Sequence, residues 1–147
     1  AGRFIFNGLK TEGKNSDFSK ISAVLLGDFN VVGDSSEEYH TMIKLLGYPR
    51  DLYHEKNPGA KGYTWDSLHN RFITYLGKDD RDMQRLDYIF AFDRLPGMEG
   101  SREPEGLNKI ECLSCDLFKP KARGIIEGIP ECDLSDHYGV ETVIEIP

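Results

Sequence analysis

Apolar positions along this chain gather in short unbroken runs, each closed by Gly, Pro or a charged block. Residues 4–9 are mostly apolar, and Thr11 to Ser19 form a polar connector. Ile21 to Leu26 are strand formers ending at Gly27, and unbroken apolarity over so few residues predicts a strand buried on both faces. Tyr39, Met42, Ile43 and Leu46 recur instead at helical spacing. Ser35 and Ser36 offer N-caps, Glu37 and Glu38 suit the first turn, and Gly47 lies just past the end, so this is the clearest helix. Pro49 and Asn57-Pro58-Gly59 mark a loop. Tyr63 to Trp65 and Phe72 to Tyr75 predict short strands, with room for a second helix near Ser67. Lys78 to Gln84 are highly charged and predict a loop. Leu86 to Phe92 predict another buried strand, and the Gly/Pro/Glu-rich stretch from Gly97 to Gly106 a mobile insertion. Ile110 to Phe118 predict a strand, Lys119 to Asp133 a second long loop, and Tyr138 to Ile146 the last strand. There is no internal repeat or low-complexity tract.

A length of 147 residues suits one modest domain with a real core. The 39% hydrophobic and 29% charged content reads as soluble and globular. No apolar run approaches the roughly 20 residues of a membrane-spanning helix. The chain starts at Ala1 with neither Met nor the features of a signal peptide; cleavage, or excision from a longer chain, would look the same, so the compartment is not legible. A net charge of −7 weighs against a duplex-DNA surface, which ordinarily needs a basic footprint. The local basic cluster, Lys119-Pro120-Lys121-Ala122-Arg123, reads as a solvated loop. Cys112, Cys115, Cys132 and His137 could supply a Cys₃His zinc site. Ordinary reduced cysteines are the simpler reading, because Cys112 and Cys115 lie in an alternating run that should turn them to opposite faces; a disulfide stays open.

Three short blocks carry the chemistry: Gly27-Asp28-Phe29-Asn30, Arg85-Leu86-Asp87-Tyr88-Ile89 and Ser135-Asp136-His137. Each sits beside a strand-like run, so Asp28, Asn30, Asp87, Asp136 and His137 are aimed from strand ends into one shared site. Taken singly, each has a plainer role. Gly-Asp-x-Asn can be a turn whose side chains bond their own backbone, Asp87 a cap, and His137 an interior histidine. Trp65 reads first as a core or rim aromatic, and His40, His54 and His69 as surface histidines.

In order and spacing the three blocks resemble the C-terminal motifs of the endonuclease/exonuclease/phosphatase superfamily. Thr64-Trp65-Asp66, Asn70, Leu86-Asp87-Tyr88-Ile89 and the ending Ser135-Asp136-His137-Tyr138 are most similar to its neutral sphingomyelinase branch. The resemblance implies an α/β fold, the four-layer α/β/β/α sandwich of the deoxyribonuclease-I-like type, of which residues 1–147 supply mainly the C-terminal half; the motifs span about 20–147. It implies Mg²⁺-dependent (or Mn²⁺-dependent) phosphodiester hydrolysis, cleaving sphingomyelin to ceramide and phosphocholine. By family position His137 is the base that activates water, Asp87 holds its imidazole, and Asp136 ligates the metal. Asp28 orients water or assists the leaving group, and Asn30 donates to a phosphoryl oxygen. The family's earlier Asn, metal-ligating Glu and phosphate-contacting His have no match before Asp28, so the principal carboxylate ligand is absent and the chain alone is expected to be inactive. An N-terminal half, preceding or on another chain, is the implied partner, beside a phospholipid substrate and peripheral membrane contact. The apolar membrane hairpin of the branch is lacking: 93–107 are polar, and only Leu117-Phe118 and Ile125-Ile126 offer apolar tips. The alternatives are a nuclease or phosphatase of the same superfamily, or a non-catalytic assembly module that keeps the fold.

Overall fold

The computed structural model describes residues 22–33, 36–78, 82–93 and 109–146. The predicted insertion at 97–106 and the apolar residues 4–9 lie outside them. In chain order the elements are β1 (Ala23–Asp28), α1 (Glu37–Leu45), β2 (Arg50–Asp51), α2 (Leu52–Lys56), β3 (Trp65–Asp66) and α3 (Arg71–Tyr75). They continue with β4 (Met83–Gln84), β5 (Asp87–Phe92), β6 (Glu111–Phe118), β7 (Lys121–Ile126), β8 (Ile129–Asp133) and β9 (Gly139–Glu145). The fold is mixed α/β. Its described strands form small sheets in the orders β1-β5-β2, β3-β4, β6-β9 and β7-β8, with every pairing among the described residues antiparallel.

The core is built around β5, whose unbroken apolar sequence is buried on both faces. Tyr88, Phe90 and Phe92 point one way and pack with Leu46, against the partly buried Tyr39, Met42 and Ile43 of α1 and Ala23, Leu25 and Phe29. Those helical residues form the apolar stripe read from the sequence, and the Ser36 hydroxyl caps the helix by accepting from the Tyr39 amide at 3.0 Å. Ile89 and Ala91 point the other way, onto Leu52 and Tyr53 of α2, Ile110, Cys112 and Cys115, with Leu117, Val140 and Ile144 alongside. The β6-β9 pair thus covers the face of β5 opposite α1.

Five expectations are corrected. β1 is not buried on both faces: among the described residues it is an edge strand, and its Val24 and Leu26 stay 37% and 66% exposed. Residues 72–75 are helical, not extended, because Asn70 accepts from the Phe72 and Ile73 amides and so caps α3. Asp133 accepts from the Arg71 amide at 2.9 Å and ties the same turn to β8. The expected long loop at 119–133 is the β7-β8 hairpin, with Lys121 opposite Asp133 and Gly128 at φ 80° in its turn. Cys112 and Cys115 share the core face, since a bulge between Cys112 and Ser114 shifts the alternation by one. The charged stretch before Asp87 also contributes β4, paired with β3. All three cysteines are free and buried. Among the described residues no helix is long and apolar enough to cross a membrane.

Candidate active site

Asp28 ends β1 and Asp87 begins β5, and the antiparallel register sets them directly opposite one another. Two carboxylates facing across a ladder repel, so this pair favours a neighbouring cation or hydrogen-bond donor. His137 lies there: its Nδ1 is 2.8 Å from Asp87 Oδ2. Ligand atoms of Asp28, Asp87 and His137 fall within 4.8 Å of one another. A carboxylate at Nδ1 selects the tautomer with the proton on that nitrogen, leaving Nε2 as the free acceptor of a neutral imidazole. His137 is bridged through its backbone to Trp65, whose ring meets the imidazole edge-on with centroids 5.3 Å apart.

Asn30 is adjacent. Its backbone amide donates to Asp28 Oδ1 at 2.8 Å and its Nδ2 to Asp28 Oδ2 at 3.2 Å, while its φ of 50° is a left-handed conformation that Asn tolerates. The Asx-turn reading of this block therefore holds, and the turn itself orients the Asp28 carboxylate.

Asp136 stands apart from the three-residue group. Its Oδ2 takes a hydrogen bond from Lys78 Nζ at 3.2 Å, and the Lys78 ammonium also sits 5.4 Å from the centre of the Trp65 ring. Burial alone would push the Asp136 carboxyl up, but the Lys78 hydrogen bond and charge, with smaller help from its own backbone and His137, bring it below its ordinary value. Lys78 was not visible as a site residue in the sequence; it begins a charged stretch that reads as a loop.

Two buried polar residues join the blocks. Thr64 Oγ1 accepts from the Leu86 and Asp87 amides at 3.0 and 3.2 Å, while the Thr64 carbonyl accepts from Tyr138 at 2.7 Å. Asn70 donates to the carbonyls of Ser135 and Asp136. Behind Asp87, the Arg85 guanidinium is buried against Asp51 at 2.7 Å and lies over the rings of Tyr39, Tyr53 and Tyr88. Asp51 in turn accepts from the Tyr39 hydroxyl and caps α2. Nothing in the spacing of Arg85 and Asp51 announced this pair.

The cysteines do not gather around His137: the close group of potential ligands found among the described residues is Asp28, Asp87 and His137. A separate open pocket of about 340 Å³, lined by Tyr39, His40, Pro49, Arg50, His54 and Glu55 among others, includes none of the site residues.

No family model matches the chain, and no solved structure matches it. An uncharacterized protein of Dictyostelium discoideum is 31% identical over 111 residues, which is 76% of this chain and 9% of that protein. The chain thus spans about a tenth of the length of this curated relative.

Proposed function

We propose that this chain carries the histidine–carboxylate part of a metal-dependent phosphodiesterase site of the endonuclease/exonuclease/phosphatase type, nearest in its motifs to neutral sphingomyelinase. The observation that carries the reading is the 2.8 Å contact of His137 Nδ1 with Asp87, with Asp28 set directly opposite Asp87. Fifty residues separate Asp87 from His137 in sequence, and their hydrogen bond leaves His137 Nε2 as the group able to take a proton from water. Water oxygen then forms a bond to phosphorus as the bond to the alcohol oxygen breaks, and the proton held by His137 is available for return to that oxygen. Asp28 orients the water or assists departure of the alcohol, and Asn30, already bonded to Asp28, turns its amide to a phosphoryl oxygen.

The oxygen-rich donor set suits a hard cation, Mg²⁺ or Mn²⁺. The facing Asp28 and Asp87 carboxylates are the physical reason for one, and Asp136 would join by giving up Lys78. Such a cation would supply charge neutralisation for the phosphoryl oxygens. These residues are too few to hold Mg²⁺ tightly, so a further carboxylate from a preceding segment or another chain completes the site. The same partner would cover Val24 and Leu26, the apolar positions of β1 that lie exposed beside Asp28. On this reading the chain is the second half of an α/β/β/α sandwich. The half-exposed Phe118 and Ile125 near the β7-β8 hairpin offer contact with a lipid surface, which favours a phospholipid over nucleic acid, as does the net charge of −7.

The test is hydrolysis by the intact protein that contains this chain, with sphingomyelin vesicles, bis(p-nitrophenyl) phosphate and single-stranded DNA as substrates, each with Mg²⁺ and with chelator. Mg²⁺-dependent release of phosphocholine is expected. Cleavage of DNA without phosphocholine release would move the reading to a nuclease, and inertness towards all three would leave the assembly module.

A further inference from the structure

We propose that Asn70 is the positioning residue for His137, holding the backbone before it so that the imidazole keeps its contact with Asp87. Asn70 is fully buried, and both ends of its amide are occupied. Nδ2 donates to the Ser135 carbonyl at 2.9 Å and to the Asp136 carbonyl at 3.3 Å. Oδ1 accepts from the Phe72 and Ile73 amides at 3.0 and 3.4 Å. The donor end therefore orients the two peptide planes that lead into His137, while the acceptor end is anchored to the first turn of α3. The segment that starts at Asn70 ends at Lys78, which takes the Asp136 carboxylate, so Asp136 is gripped at its carbonyl and at its side chain by the two ends of one short stretch. A rotation of either peptide plane would swing the His137 ring off Asp87. The Asp87–His137 bond then weakens without any change to either residue. The purpose assigned to Asn70 rests on the phosphodiesterase reading, but its effect on His137 does not.

The two halves of the amide can be separated by substitution. Asn70→Asp keeps an acceptor for the α3 amides, and Asp caps helices as well as Asn, but it faces the Ser135 and Asp136 carbonyls with a second acceptor. Asn70→Ser also keeps a capping oxygen and is too short to reach both carbonyls. The measurement is ¹⁵N NMR of the His137 imidazole in metal-free protein, with circular dichroism to confirm folding, and with Asp87→Ala marking complete loss of the contact. Wild-type neutral His137 is expected to be mainly Nδ1-protonated, and both Asn70 variants to lower that fraction at least about threefold, towards the Asp87→Ala value. If Asn70→Asp does not fold, Asn70→Ser decides. Variants that lose stability yet keep the wild-type tautomer would reduce Asn70 to a helix cap and overturn the proposal, as would a wild-type His137 protonated mainly on Nε2. A protein that hydrolyses no phosphodiester but shows the expected tautomer shift would sink the catalytic reading and leave the positioning role standing.

Discussion

Replacing Thr64 by Val separates hydrogen bonding from packing at the joint between the blocks. The two side chains have nearly the same volume, and Thr64 is fully buried, so on apolar burial alone the substitution should stabilise. Thr64 Oγ1, however, accepts from the Leu86 amide at 3.0 Å and the Asp87 amide at 3.2 Å, and Val offers neither of them an acceptor. A buried donor that loses its partner costs about 1–3 kcal/mol, so the buried Leu86 amide should destabilise by about that much and the partly buried Asp87 amide should add a smaller amount. Thr64→Ser keeps the oxygen and removes one methyl group, a loss of about 0.5–1.5 kcal/mol by analogy with Ile→Val. Urea unfolding followed by circular dichroism measures both, and the expected order of midpoints is wild type, then Ser, then Val. A Val variant as stable as the Ser variant would show that the Thr64 hydroxyl does not hold the Asp87 segment, and the account of how Asp87 is placed would fail with it.

Other outcomes follow from the surrounding contacts. Arg85→Met leaves Asp51 buried without its cation and should cost about 3–5 kcal/mol by denaturant unfolding; a loss below about 1 kcal/mol would mean the pair is not structural. Burial, with Asp51 adding, pushes the Tyr39 phenol to about 12, and burial with Asp133 and Asp66 does the same for Tyr138, against an ordinary 10.0. Both are raised in the folded state and favour the neutral form, so their contribution is complete below pH 10.0 and lost as pH rises towards 12. Ellipticity that is flat up to the ordinary tyrosine range and falls above it is the expected profile, and stability unchanged at the upper end would contradict it. Lys78→Met should raise the titration midpoint of Asp136 by ¹³C NMR. The stability change should stay under about 1 kcal/mol, since Lys78 is half exposed. In the wild type the lowered Asp136 carboxyl stabilises at and above the ordinary carboxylate range, and that contribution disappears as acid protonates it in the folded state. A midpoint that does not move would remove Lys78 from the site.

Sequence pattern revealed the elements whose burial is simple and missed those held by specific polar contacts. β5 was legible because a strand covered by α1 on one side and by α2 and β6-β9 on the other must be apolar throughout. α1 was legible because its stripe and its Ser36 cap are local. β1 has the same apolar look as β5, but its position at the edge of the described sheet is set by pairing, which its own residues do not record. α3 has strand-like composition and is helical because of Asn70 and Asp133, the second of them 62 residues away from Arg71. The β7-β8 hairpin has few apolar alternations and was hidden by its polarity. At the site, the blocks pointed to Asp28, Asp87 and His137, which the fold brings together, while Asp136 is turned to Lys78. Lys78, and the supporting roles of Thr64, Asn70 and Arg85, depend on contacts across 22 to 66 positions or on a salt bridge 34 positions long. No short window contains such information.

The most direct test of the account is the rate of phosphodiester hydrolysis by the intact protein with His137→Ala, measured beside the wild type at saturating Mg²⁺. If His137 takes the proton from water, the rate should fall by about 10²–10⁴-fold while the fold is retained. Equal rates for the two proteins would contradict the account, whatever the substrate.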